Sequence, residues 1–233
     1  MAPEGVRRAL VTGSSSGIGL AIAQGLLDQG WDVVGLDLAP ARLVHPAFSS
    51  TEVDLCDAAA TEHAVRSAGP VQALIHAAGV LRVGPLGTLS SEDSTLMWRL
   101  HVDAVTRIAN QVVPAMAQAG AGRVVLIGSR VARGMAGRSQ YAATKAALVA
   151  LARSWAAETV ASGVTVNVVS PAATETAMLA DPARTSVPPK LPPLGRLIQP
   201  REIAALVTFL LSADAAAITG QDIQICGGAS LAA

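Results

Sequence analysis

The sequence predicts an α/β protein with a Rossmann-type doubly wound sheet, mostly parallel and seven-stranded, with helices on both faces. Three observations carry that expectation. Short, continuously apolar runs alternate with longer helical stretches along the chain, the pattern of parallel strands buried on both faces and covered by helices. A Gly/Ser cluster, Thr12-Gly13-Ser14-Ser15-Ser16-Gly17-Ile18-Gly19, joins the first apolar run to the first helical stretch. Apolar residues make up 51% of the chain and charged residues only 15%, enough for a sizeable core and against long disorder.

Arg8-Ala-Leu-Val-Thr12 reads as the first strand. Helical periodicity then runs from Ile18 through Leu27 and stops at Gln29-Gly30. Asp32–Asp37 is the second strand, with a weaker one near Thr51-Glu-Val53. Val71–His76, Arg123–Gly128 and Val164–Val169 are further strands, separated by helical stretches at about 92–118 and 139–161. A helix from Arg201 to Leu211 and a strand at Asp222–Ile225 complete the alternation. No linker, composition break or repeat divides it, so one domain over residues 1–233 is expected. The stretch Ala177–Gln199 holds Pro182, Pro188, Pro189, Pro192 and Pro193, which cannot sit inside a helix or central strand, and it predicts a loop or short lid.

Seventeen basic and seventeen acidic side chains cancel, which argues against nucleic acid or an anionic membrane as partner. No window reaches the roughly 18 apolar residues of a transmembrane helix. The start, Met1 to Val6, lacks a charged segment followed by an apolar one, so a soluble cytoplasmic protein is expected. Cys56 and Cys226 lie far apart, the four histidines are scattered, and no metal site is expected.

Glycines suit the first turn because the chain must bend sharply and let its backbone approach a pyrophosphate, while the helix N-terminus offers unpaired N–H groups to that anion. The spacing is G-x3-G-x-G, and its place after a strand and before a helix predicts dinucleotide binding. Asp37 closes the second strand, 18 residues after Gly19. A carboxylate there can accept both adenosine ribose hydroxyls and repels a 2′-phosphate. No basic residue occurs among Ser14, Ser15 and Ser16, Leu38 follows Asp37, and Arg42 is the one nearby candidate to favour NADP. NAD is the expected cofactor.

Tyr141 is the single tyrosine of the chain, and Lys145, four residues on, is one of two lysines against fifteen arginines. That spacing puts both on one helix face. A phenol with a pKa of about 10 is a poor base near neutrality. A neighbouring ammonium favours the phenolate and makes Tyr141 a usable acid/base. Ser129, twelve residues earlier at the end of a strand, would stand beside the phenol at the carboxyl edge of the sheet, where open α/β sheets bind ligands.

These residues resemble the short-chain dehydrogenase/reductase family. The match runs over nearly the whole chain: Thr12–Gly19, Asp37, Asp54, His76-Ala-Ala-Gly79, Ser129, Tyr141-Ala-Ala-Thr-Lys145, Asn167-Val-Val-Ser-Pro171 and Ile218-Thr-Gly220. The resemblance implies that Asp54 with Leu55 holds the adenine and that Ala77, Ala78 and Gly79 line the ribose side. It also implies that Lys145 grips the nicotinamide ribose. Pro171 would pack by the nicotinamide, with Thr174 and Thr176 near its carboxamide and the phosphates. The implied reaction is hydride transfer between the nicotinamide and a carbinol carbon, with Tyr141 exchanging the hydroxyl proton and Ser129 holding the oxygen. Several positions depart from the family pattern. His101 falls where an asparagine usually supports a water relay to the lysine, and histidine can hold a water there too. His76 and Ala77 replace two asparagines, Ala172 replaces a glycine, and the Ser–Tyr interval is one residue shorter than the commonest. None removes an essential group, so activity is expected.

Ala78-Gly-Val-Leu-Arg-Val-Gly84, Ser90-Ser-Glu-Asp93, Ser170–Thr176 and Gln221–Gly228 look like the dihydrodihydroxybenzoate dehydrogenases, which oxidise a cyclic dihydrodiol carboxylate with NAD+. Cys226 stands where that ending usually has aspartate. Arg82 and Arg130 can meet such a carboxylate, and Met135, Met178 and Leu179 are expected pocket walls. A small, cyclic, largely apolar substrate is the leading expectation. A ketoacyl thioester reductase is the runner-up, though it usually brings NADPH, against Asp37. An NAD-binding scaffold without catalysis is a third reading, against which both Tyr141 and Lys145 are present. The two long helices carry apolar residues on more than one face, Leu151 and Trp155 among them, and the resemblance implies that such helices pair; a homotetramer is expected.

Overall fold

A computed structural model describes residues 7–180 and 190–231. Seven parallel strands form one sheet in the order β3-β2-β1-β4-β5-β6-β7. They are β1 (Arg8–Thr12), β2 (Asp32–Asp37), β3 (Phe48–Glu52), β4 (Ala73–His76), β5 (Gly122–Ile127), β6 (Val164–Pro171) and β7 (Asp222–Ile225). The helices are α1 (Gly17–Leu27), α2 (Ala58–Ala68), α3 (Ser91–Trp98), α4 (Ala104–Gln118), α5 (Ser139–Thr159) and α6 (Pro200–Leu210). The strand order reverses between β1 and β4, which opens a cleft at the carboxyl ends of the strands there.

The period-2 pattern of the strands feeds two cores. Leu10 of β1 and Val124 and Leu126 of β5 face α2, α4 and α5. Ala9, Val11, Val125 and Ile127 face α1 and α6. Leu10, Leu74, Ile75 and Leu126 are wholly buried, each stabilising the fold by about 1.5–3 kcal/mol. All eight residues of β6 are buried, and the strand extends two residues past its expected end to Pro171, placing the chain beyond it in the cleft. Asn167 ties it down: its Nδ2 donates to the Ile218 carbonyl at 2.7 Å and its Oδ1 accepts from the Gln221 N–H at 3.1 Å.

Three local features differ from the expectation. β3 lies at Phe48–Glu52, starting before the expected Thr51–Val53, because it is an edge strand whose polar Ser49, Ser50 and Thr51 are half-buried or exposed. α2 is an element the periodicity did not announce. Its buried side is only Thr61, Ala64, Val65 and Ala68, too small an apolar stripe to stand out. Asp57 starts it, accepting from the Ala60 N–H at 3.0 Å. The expected helix at 92–118 is interrupted by a π-helical segment, Arg99–Asp103. Of the expected lid at 177–199, Ala177–Ala180 is a short 3-10 turn and Thr174 pairs with Ile198 by a single bridge; residues 181–189, with Pro182, Pro188 and Pro189, lie outside the described residues. Among the described residues no helix is long and apolar enough to cross a membrane, and no group of three or more metal-ligating side chains occurs.

Candidate active site

The turn after β1 is built for close approach. Gly13 has φ +72°, and a Cβ there would sit 2.8 Å from the Ala78 nitrogen, at the end of β4; a Cβ on Gly19 would overlap the Gly13 carbonyl. Any other residue would push the two loops apart. Ser16 caps α1 without a side-chain hydrogen bond, so the first-turn amides of residues 17–19 stay available to an anion. Thr12 Oγ1 accepts from the Ala77 and Ala78 N–H groups, both at 3.1 Å, and holds the loop after β4 against the turn.

Asp37 braces the same turn. Its Oδ2 accepts from the Ser15 N–H at 2.8 Å and its Oδ1 from the Ala39 N–H at 2.9 Å, leaving a lone pair on each oxygen for a further donor. Ser15 Oγ donates to the Ala39 carbonyl at 3.1 Å. Leu38 and Arg42 are exposed beside it. A dinucleotide fits these groups: a glycine cradle, uncapped helix amides and a carboxylate at the second strand's end. Asp54 Oδ1 is turned to the Cys56 N–H at 2.8 Å, at a depression shared with Ser91, Glu92 and Arg99. Leu55 is 3% exposed and belongs to the core, so only its backbone can meet an adenine.

Ser129, Tyr141 and Lys145 meet at one cavity of about 410 Å3. Ser129, 8% exposed, follows β5 and caps a short 3-10 turn, its Oγ accepting from the Val131 N–H at 3.2 Å. That contact uses a lone pair and leaves the hydroxyl proton to donate. Lys145 is 4% exposed and its Nζ donates to the Ile127 carbonyl at 2.8 Å. Nζ lies 5.7 Å from the centre of the Tyr141 ring, and burial lowers the lysine from its usual range to about 7. Ile18, Ala77, Gly79, Pro171, Thr174 and Thr176 line the same cavity, as do Arg130, Met135, Met178 and Leu179.

His101 sits in the π-helical segment, wholly buried. The Val80 N–H donates to its Nε2 at 3.0 Å, so its proton is on Nδ1, 2.8 Å from Thr144 Oγ1; Thr144 donates on to the Tyr141 carbonyl at 2.9 Å. Both ring nitrogens are therefore engaged by protein, which corrects the expectation that this ring could hold a relay water. Its ring meets that of Tyr141 edge-on, with centroids 5.7 Å apart. His76 is the second buried ring. Thr12 Oγ1, already accepting two N–H groups, donates to His76 Nδ1 at 2.9 Å. Burial, and then the charge of Lys145, hold His76 down at about 3 and His101 well below the usual histidine range.

Arg82 is not among the residues lining the cavity, correcting its place in the expected substrate pocket: its Nε pairs with Asp93 Oδ1 at 3.4 Å and its Nη1 donates to the Leu81 carbonyl. Two cations not singled out in the sequence do line it, Arg138 and Lys190. Arg138 was detectable, standing three residues before Tyr141 as the N-cap of α5; Lys190 follows the residues outside the description, and no local signal marks it.

The family model described as enoyl-(acyl carrier protein) reductase matches residues 13–230. The chain is 35% identical to the 3-oxoacyl-(acyl-carrier-protein) reductase of Escherichia coli (strain K12), over 94% of this chain and 96% of that one. It is also 35% identical to the 2,3-dihydro-2,3-dihydroxybenzoate dehydrogenase of the same strain, over 96% of both. Among solved structures, one described as a short chain dehydrogenase/reductase family protein superposes with a TM-score of 0.88 at 32% identity, covering 99% of this chain and all of that one. A variant of the actinorhodin polyketide ketoreductase with NADPH gives a TM-score of 0.88 at 28% identity, with 99% of both chains covered.

Proposed function

This chain belongs to the short-chain dehydrogenase/reductase family, and from that membership we propose an NAD(H)-dependent oxidoreductase acting on a small cyclic secondary alcohol or ketone, a dihydrodiol among the candidates. The observation that carries the reading is the convergence of Ser129, Tyr141 and buried Lys145 on one cavity beside the glycine turn.

The bound nicotinamide supplies or accepts the hydride. Gly13, Ser15, Ser16, Gly17, Ile18 and Gly19 would hold the pyrophosphate at the start of α1, and Asp37 would accept the adenosine ribose hydroxyls. The Asp54–Leu55 backbone would border the adenine, Ala77–Gly79 the ribose, and Pro171, Thr174 and Thr176 the nicotinamide end. In the oxidising direction Tyr141, as phenolate, takes the hydroxyl proton. Lys145, fixed on the Ile127 carbonyl, makes the phenolate accessible near neutrality by its charge. Ser129 donates its hydroxyl proton to the substrate oxygen and holds the carbinol carbon at a fixed height over the cleft.

NAD is favoured over NADP because Asp37 presents negative charge where a 2′-phosphate would lie and no cation stands at Ser14–Ser16 or Leu38. We read the chain as one domain, cytoplasmic, working as a homotetramer on a small-molecule substrate. The second reading, a ketoacyl thioester reductase, is favoured by the name of the 3-oxoacyl relative. Comparing initial rates of NADH formation from NAD+ with NADPH formation from NADP+, over cyclic alcohols, dihydrodiols and 3-hydroxyacyl thioesters, separates the two. Turnover confined to NADP+ and thioesters would replace the first reading by the second.

A further inference from the structure

We propose that His101 is a positioning residue: its ring ties the loop after β4 to the helical turn that carries Tyr141, and so sets where the phenol stands in the cavity. The inference rests on the oxidoreductase reading and adds to it a residue that acts through others. The first turn of α5 has little of its own to hold it. Its N-cap residue, Arg138, makes no side-chain capping bond, and no acidic residue stands in that turn. Two ties from elsewhere flank Tyr141 instead, and both run to α3 and the π-helical segment that continues it. Gln140 Nε2 donates to the carbonyl of Ser90, the N-cap of α3, at 2.8 Å. On the other side of Tyr141, Thr144 Oγ1 lies 2.8 Å from His101 Nδ1.

The direction of every bond around that ring is fixed. The Val80 N–H can only donate, so His101 Nε2 accepts and the neutral ring carries its proton on Nδ1. Thr144 has one hydroxyl proton, given to the Tyr141 carbonyl, so its oxygen accepts from Nδ1. One line of donors therefore runs from Val80 through His101 and Thr144 to Tyr141. His101 and Thr144 are both buried, where a broken bond leaves a polar group unsatisfied. The loop end of the line is as closely set as the helix end. A Cβ on Gly79 would stand 3.0 Å from His101 Nε2 and 3.7 Å from Lys145 Nζ, so the loop passes directly over the ring and the lysine. The Tyr141 ring completes the contact by meeting that of His101 edge-on. The ring rides on the π-helical turn Arg99–Asp103, a rare conformation that tends to occur at functional positions. Its work is geometric, and no proton of the reaction crosses it.

The two arms of the ring can be cut separately. Glutamine places its amide oxygen near Nε2 and cannot reach Thr144, whereas asparagine places its amide nitrogen near Nδ1 and cannot reach Val80. On the full chain, kcat is measured with NAD+ and the fastest substrate of the cyclic alcohol and dihydrodiol panel, and NADH affinity is read from its fluorescence. In His101→Gln, kcat is expected to fall about tenfold to a hundredfold, the weight of a misplaced reacting group, with NADH affinity nearly kept. Thr144→Val should lose the same factor, Thr144→Ser should recover most of it, and the glutamine–valine double variant should lose no more than either single one. His101→Asn should show the opposite split, with the smaller loss in kcat and NADH bound about five- to tenfold more weakly. If His101→Gln fails to bind NADH, Thr144→Val against Thr144→Ser reads the same arm. An unchanged kcat in both His101→Gln and Thr144→Val overturns the inference. So does a loss in which kcat and NADH affinity fall together in every variant, the mark of a merely structural ring. Turnover without the split strikes this inference alone, whereas absent turnover in the unsubstituted protein strikes the oxidoreductase reading and this inference with it.

Discussion

Lowering the pH should destabilise this protein before its carboxylates titrate, because two neutral histidines are buried against Lys145. His76 and His101 are both wholly buried, with their Nδ1 and, for His101, Nε2 atoms committed to neutral hydrogen bonds. In the unfolded chain each takes up a proton near 6.5. In the folded chain His76 stays neutral down to about 3 and His101 to well below its usual value. A depressed imidazole value means the unfolded state binds more protons, so stability falls as pH falls from 6.5 and is unaffected by these groups well above it. Between pH 6.5 and 5 the His76 ring alone costs roughly 2 kcal/mol, and His101 adds to the loss in the same direction, against a total of about 5–15 kcal/mol for a domain. Lys145, titrating at about 7, is mostly protonated across that interval and adds little. Urea unfolding at pH 6.5 and 5.0 reads the difference, and His76→Asn and His101→Asn should each remove part of it. An unsubstituted protein equally stable at both values, or variants that lose stability as steeply, would refute the assignment of buried neutral imidazoles.

Other expected outcomes follow from the same geometry. Asp37→Ser combined with Leu38→Arg should lower kcat/KM with NAD+ at least tenfold and raise it with NADP+, since the swap removes the repelling carboxylate and supplies a cation; steady-state rates with both cofactors check this. Lys145→Met should reduce kcat by about 100- to 10,000-fold, the usual weight of acid/base assistance, with NADH binding retained in part. Ser129→Ala should cut kcat by about tenfold or more while KM for the cofactor stays constant. Sedimentation should give about four times the 23.5 kDa chain mass; a 23.5 kDa particle would contradict the tetramer.

Much of this was legible because the signals are local. The continuously apolar strands and the glycine turn announce themselves in a few residues, and the Tyr141–Lys145 spacing needs only a helix to become a site. What was not legible depends on partners far apart in sequence. Arg82 reads as a pocket residue until the fold brings Asp93 to its guanidinium. His101 reads as a water holder until Val80 and Thr144 occupy both its nitrogens. The π-helical segment and the small-faced α2 leave no periodic trace, since apolar spacing reports only faces large enough to bury. Leu55 shows the same limit: the resemblance offers it to the adenine, but its side chain goes to the core.

The most direct test of the central claim is NADH formation from NAD+ over a panel of cyclic alcohols and dihydrodiols, comparing the unsubstituted protein with Tyr141→Phe. The account predicts turnover that the substitution abolishes while NADH still binds. Turnover that persists in the phenylalanine variant would contradict it, because the proton would then be moving through some group other than the one phenol the chain possesses.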